Sequence, residues 1–174
     1  YKRQPAWNPI IELQKLGFEK NLVVFPLLHG PLGEDGTIQG LLEVVDVPYI
    51  GSGVLGSALA MDKIATKEML THHNIPQALY QSVHSKLFED LDREGMESML
   101  YELFNELGPI VFVKPANLGS SIGVSRANDH DSLKKALEKA FAYDEWVIVE
   151  EAIEGREIEL SVLGDLVPQV SPPG

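Results

Sequence analysis

The sequence predicts an α/β fold, and three features carry that prediction. Apolar runs of strand length, Leu22–Leu28, Val47–Ile50, Ile110–Val113 and Trp146–Val149, alternate with segments whose apolar residues recur at helical spacing. In the first third of the chain these runs are apolar almost throughout, rather than at every second residue. That pattern suits strands covered on both faces and favours a parallel sheet there. Glycine-rich turns follow two of the runs directly: His29-Gly30 after the first, and the stretch from Lys114 to Gly123 after the third.

The elements fall into three regions. The first, residues 1–60, reads as a partial N-terminal α/β domain. Asn8 and Pro9 open a short helical pattern through Ile10, Leu13, Gln14 and Gly17, before the strand Leu22–Leu28. After the turn Gly33-Glu34-Asp35-Gly36, Thr37 is placed to cap a helix with Ile38, Leu41, Leu42 and Val45 on one face. Val47–Ile50 is the next strand.

The second region, residues 61–152, holds a helix over Asp62–His73, stopped by Asn74-Ile75-Pro76. His72 and His73 in its last turn suit a helix C-terminus electrostatically. Met96, Met99, Leu100, Leu103, Phe104 and Leu107 mark a second helix. Ser132 caps a third, with Leu133, Ala136, Leu137, Ala140 and Phe141 at its apolar positions. The third region, residues 153–174, opens with the alternating run Glu157–Val162, whose open face carries Glu157 and Glu159. Gly164-Asp165 then turns the chain into Leu166–Val170. The chain starts Tyr1-Lys2-Arg3-Gln4 and stops at Pro172-Pro173-Gly174, so an internal piece of a longer protein is expected.

Composition narrows the function. Of 174 residues, 44% are hydrophobic, enough for one or two modest cores. Lys and Arg total 14 against 26 Asp and Glu, a formal charge of −12, which disfavours nucleic acid or an anionic membrane as partner. Any anionic ligand must be held by a local cluster of donors. With no cysteine, thiol chemistry is excluded and a cytoplasmic protein is the simplest expectation. No apolar run approaches the roughly 20 residues of a membrane span.

The stretch Lys114-Pro115-Ala116-Asn117-Leu118-Gly119-Ser120-Ser121-Ile122-Gly123 concentrates donors: one cation, two hydroxyls and several backbone amides. Glycines let such a loop approach phosphate oxygens closely. It is not a Walker A loop, because no Gly-x-x-x-x-Gly-Lys-Ser/Thr is present. Lys114 alone reads equally well as a strand-end lysine reaching for solvent; Lys63 also admits the reading of an ordinary exposed helix lysine, and His29 that of a hydrogen-bonded core histidine.

Taken in order, His29-Gly30-Pro31-Leu32-Gly33-Glu34-Asp35-Gly36, Tyr49-Ile50-Gly51-Ser52-Gly53, Ala60-Met61-Asp62-Lys63, the Lys114–Gly123 stretch and Glu150 through Glu157 resemble the D-alanine–D-alanine ligase family. These stretches run across nearly the whole chain. The resemblance implies an ATP-grasp fold preceded by a partial parallel α/β (pre-ATP-grasp) domain. Residues 61–152 then form the central ATP-grasp subdomain, and 153–174 the start of a C-terminal lobe.

It further implies that Lys63 and Lys114 contact nucleotide phosphates, and that Ser121 with the amides from Ser120 to Gly123 covers the β- and γ-phosphates. Glu150, with the backbone of Glu151, Ala152 and Ile153, would form the hinge against the adenine edge, and Glu157 would accept from the ribose hydroxyls. Ser120, His29 and Glu34 are the implied residues at the catalytic, D-alanine end. The implied reaction converts ATP and two D-alanines to ADP, phosphate and the dipeptide, for peptidoglycan precursors. Its implied cofactors are ATP and Mg2+ or Mn2+, with metal ligands outside this sequence, so that no metal residue is named and this piece alone is not expected to turn over. A homodimer is the implied assembly. Two alternatives stay open: a D-alanine–D-lactate ligase of the same family, and a nucleotide-binding module without catalysis.

Overall fold

The computed structural model describes Ile11, Glu12, Gln14, Lys15 and residues 22–174. Ile11, Glu12, Gln14 and Lys15 are helical; the rest of the segment expected around Asn8 to Gly17 lies outside the described residues. In chain order the elements are α1 (Thr37–Val44), α2 (Val54–Met61), α3 (Lys63–His72), β1 (Tyr80–His84), α4 (Ser85–Glu89), α5 (Arg93–Leu107), β2 (Val111–Pro115), β3 (Ser125–Ala127), α6 (His130–Phe141), β4 (Trp146–Glu151), β5 (Val162–Leu163) and β6 (Gln169–Val170).

Four strands form the main sheet in the order β1-β4-β2-β3, each neighbour antiparallel. Helices α5 and α6 cover one face. Their apolar stripes bury Leu100, Leu103, Leu107, Leu133, Ala136, Leu137 and Ala140 against Val111, Val113, Val147 and Val149. Leu133 and Leu137 are fully inaccessible, and truncating either to alanine costs about 2–5 kcal/mol. Strand β4 lies in the interior of the sheet, which fixes the direction of its end at Glu150-Glu151.

The first region is smaller. Leu42, Val45 and Val47 form its buried centre, with Leu22, Val24, Ile38, Leu41 and Tyr49 packed around them. The parallel pairing expected there is present as one bridge, Val24 to Tyr49, closed by Val24 N–H to the Pro48 carbonyl at 2.8 Å and Ile50 N–H to the Val24 carbonyl at 2.9 Å. The full strands expected at Leu22–Leu28 and Val47–Ile50 do not form. Among the described residues no further strand flanks them, and Val23, Phe25, Leu27 and Leu28 are left exposed.

Three further expectations are corrected. Gly36, in a left-handed conformation, is the N-cap of α1, while Asp35 accepts from the Thr37 amide at 2.9 Å. Asp129, not Ser132, caps α6; Ser132 is its reciprocal partner in a capping box. The alternating run Glu157–Val162 is strand only at Val162–Leu163, and the run Leu166–Val170 only at Gln169–Val170. All residues from 153 to 170 are exposed: an alternating strand needs a surface to bury one face against, and among the described residues nothing supplies it.

Candidate functional site

The glycine loop leaves the end of β2 and is pinned at its base. The Asp144 carboxylate accepts from the Asn117 amide at 2.8 Å and from the Trp146 amide at 3.2 Å. The Ala116 amide donates to the Trp146 carbonyl at 3.0 Å. At its far end Gly123 is buried with φ +75°, packed against the Pro115 ring and Tyr143. Between these anchors the tip is open. Ser120 and Ser121 both adopt left-handed backbone conformations, φ 50° and 56°, and both are exposed.

Within the tip, Ile122 N–H closes a turn onto Gly119 and Val124 N–H onto Ser121. The amides of Ser120, Ser121 and Gly123, and the two serine hydroxyls, take no partner among the described residues. Adjacent unpaired amides in a tight turn make an anion-binding concavity. Two consecutive left-handed non-glycine residues each store strain, and such strain concentrates at ligand clamps.

Helix α3 brings two lysines to this loop's root. Asp62 caps the helix by accepting from the Ala65 amide at 2.9 Å. That places Lys63 at its first turn, with its own amide on the Ala116 carbonyl at 3.0 Å. The Lys63 ammonium donates to the Ala116 carbonyl at 3.3 Å and to the Leu118 carbonyl, tying helix to loop. Burial, and then the nearby Lys114 charge, pull the Lys63 ammonium below the ordinary lysine value, against the opposing pull of Glu150, Asp144 and Asp62.

One helical turn on, Lys67 stands on the same side of α3. Its ammonium meets Glu150 Oε1 at 3.1 Å, while Lys114 meets Glu150 Oε2. Burial raises the Glu150 carboxyl, but hydrogen bonds and charge from Lys114 and Lys67 together outweigh it, and the net shift is downward. Glu150 thus sits between two lysine ammonium groups, with that of Lys63 close enough to feel both Lys114 and Glu150.

The expected site residues divide accordingly. Lys63 reaches the root of the loop that carries Ser120 and Ser121, and Lys114 pairs with Glu150 at the end of β4. At the hinge, the Glu151 amide is already paired with the Leu79 carbonyl (3.0 Å) and the Ala152 amide with the Ile110 carbonyl (3.1 Å). The Glu151 side chain accepts from the Leu79 amide at 2.7 Å. The Ile153 amide makes no backbone pair among the described residues. Glu157 is exposed, in irregular backbone, with no partner among the described residues.

His29 and Glu34 line a separate cleft of about 470 Å³, with Ser52, Ser57, Ala60 and Met61 among its walls. There the Glu34 carboxylate accepts from the Gly30 amide at 2.5 Å. Asp35 accepts from the Leu32 amide at 2.7 Å, and that bond heads the causes that lower its carboxyl. Met61 ends α2 and Lys63 begins α3, so the same short connection serves both cleft and loop.

Lys67 was not among the residues singled out from the sequence. The available signal was its spacing four residues after Lys63, which a helix converts into a shared face.

Comparison with known proteins supplies the family. A model of the D-ala D-ala ligase C-terminus matches residues 69–174, and one of the D-ala D-ala ligase N-terminus matches residues 4–52. The chain belongs to the D-alanine–D-alanine ligase family. It is 51% identical over 152 residues to the D-alanine–D-alanine ligase of Bacillus velezensis, covering 87% of this chain and 42% of that protein. Among solved structures it is similar to the D-alanine–D-alanine ligase from Coxiella burnetii (TM-score 0.78, 38% identity, 87% of this chain and 43% of the other). It is also similar to the VanG D-Ala:D-Ser ligase from Enterococcus faecalis (TM-score 0.75, 35% identity, 87% and 42%). The chain therefore spans less than half the length of the relatives it matches. The mixed α/β class expected from the sequence agrees with these neighbours. Among the described residues no helix is long and apolar enough to cross a membrane.

Proposed function

We propose that the full-length protein containing this chain joins two D-alanines at the expense of ATP. The observation that carries the nucleotide part is the loop tip. Three unpaired amides and two hydroxyls sit at Ser120–Gly123, beside Lys63 and Lys114. The substrate part is supported by family membership and by the 51% identity to a D-alanine–D-alanine ligase.

In this reading Lys63, Lys114, Ser121 and the loop amides hold the triphosphate, and the Ile153 amide with the Glu151 carbonyl faces the adenine edge. Glu157 takes the ribose once its segment is covered. The cleft of His29 and Glu34 receives the first D-alanine, with Ser120 at the substrate end of the loop. The γ-phosphoryl passes to the D-alanine carboxylate, giving an acylphosphate and ADP. The amine of the second D-alanine attacks the acyl carbon, loses a proton, and phosphate departs. Positioning and charge neutralisation do most of the work in such transfers, and loop closure protects the acylphosphate from water.

A divalent ion accompanies ATP in this reading. Among the described residues no group of three His, Cys, Asp or Glu fits a metal, so no step is assigned to one. A cytoplasmic location and a homodimer belong to the same proposal.

The test is phosphate release by the full-length protein with ATP and D-alanine alone, then with D-lactate or D-serine added, and products identified by mass. Dipeptide from D-alanine alone is expected. Release only with D-lactate or D-serine makes it a ligase of the other kind. ATP binding without release in any mixture leaves a nucleotide-binding module.

A further inference from the structure

Glu150 holds two lysines that differ in freedom. The Lys114 side chain is 29% exposed, and its ammonium has no partner other than Glu150 among the described residues. The Lys67 side chain is 12% exposed and is held on three sides: by Glu150 Oε1, by the Ala78 carbonyl at 3.2 Å, and by the Tyr80 ring 5.2 Å from its ammonium. Tyr80 stands directly across the sheet from Glu150. One lysine is therefore held by a single partner and is partly open to solvent, and the other is held by three partners and nearly closed off.

The Glu150 side chain is only 11% exposed. Stripping a buried carboxylate of its partner is strongly unfavourable, because the charge is left without water or counter-ion. If Lys114 were the sole partner, moving it towards a phosphate would leave Glu150 bare. With Lys67 in place the carboxylate stays paired when Lys114 turns away.

We propose that Lys67 is the standing counter-ion of Glu150, a positioning residue that releases Lys114 to the triphosphate when nucleotide binds. This rests on the nucleotide reading above and assigns a role to a side chain outside the loop and hinge. It makes the affinity for phosphate groups depend on a residue set beneath them, while the affinity for the nucleoside does not.

The experiment compares Lys67→Met, Lys67→Arg and the double variant Lys67→Met/Glu150→Gln in the full-length protein, with ATP and adenosine as separate probes in calorimetric titrations. Lys67→Met is expected to weaken ATP about tenfold or more, the scale of one charge-assisted hydrogen bond, and to leave adenosine unchanged. Lys67→Arg keeps ATP affinity. In the double variant the ratio of ATP to adenosine affinity returns towards that of the unsubstituted protein, because a neutral amide needs no counter-ion and sets Lys114 free; the ratio cancels any effect of Glu150→Gln on the adenine hinge. That recovery is the outcome a merely structural lysine would not give, and the double variant also avoids a bare buried charge that could unfold the single one.

Unchanged ATP affinity in Lys67→Met, parallel loss of ATP and adenosine in it, or no recovery of the ATP-to-adenosine ratio in the double variant overturns the proposal. Failure of the unsubstituted protein to bind ATP overturns the nucleotide reading itself, and this inference with it.

Discussion

Replacing Gly123 by alanine tests whether the loop is shaped by its anchor rather than by its tip. Gly123 has φ +75°, where an L-residue pays about 1–2 kcal/mol. The added Cβ would lie 2.6 Å from Pro115 Cγ, 3.0 Å from Tyr143 Cδ2 and 3.1 Å from Pro115 Cδ. A proline ring cannot swing aside as a flexible side chain can, and Pro115 is fully buried at the end of β2. Overpacking of this kind adds about 1–3 kcal/mol, so the total is about 2–5 kcal/mol.

With a urea slope of about 2 kcal/mol per M, the unfolding midpoint should fall by about 1–2.5 M, read by circular dichroism. ATP affinity should fall as well, because the Gly123 amide is one of the open donors. Gly119→Ala is the internal control: no atom lies within 4 Å of its added Cβ, and its φ is outside the left-handed region. Equal midpoints for the two variants would refute the argument from close packing at Gly123.

Two further outcomes follow from the same structure. The native Glu150 carboxyl is lowered, so the stability its pairing supplies is fully present above the ordinary value of 4.5 and is lost as pH falls through the native value; Glu150→Gln should flatten that acid limb of a stability–pH curve. Asp129→Ala removes the 2.7 Å bond to the Ser132 amide and half of the capping box of α6, and should lower unfolding free energy by about 1 kcal/mol, measured by urea titration, with ATP affinity unaltered.

What could be read in the sequence and what could not separate along a physical line. Helices α5 and α6 were readable because each carries a long apolar stripe, and a stripe is a property of one segment. Strands β2 and β4 were readable because their apolar runs are continuous. Strand β1 went unread: Tyr80–His84 carries Gln81 and Ser82 and buries only Val83, as an edge strand does, and its place is set by pairing with β4. Strand β3 has three residues and owes its existence to β2 alongside it. Helix α2 has little polar contrast between its faces, so no period announces it. Glu157 shows the opposite error, an alternating pattern that became irregular backbone because nothing described here covers it.

The site shows the same division at the scale of side chains. The loop's donors were named from residue type alone, since glycines and serines after a lysine-ended strand offer amides and hydroxyls in any arrangement. The state of those donors depends on distant partners. Lys63 is tied to carbonyls 53 and 55 residues away, and Glu150 is clasped from α3 and from β2 at once. A glutamate assigned only to a nucleotide-facing hinge therefore turns out to hold the charge balance of the pocket. Family membership alone does not show this, because a match of residues fixes which groups are present and not which of them are already engaged. One buried carboxylate holds two ammonium groups from different elements at once, and that shared pairing is a property of the folded chain rather than of any one segment.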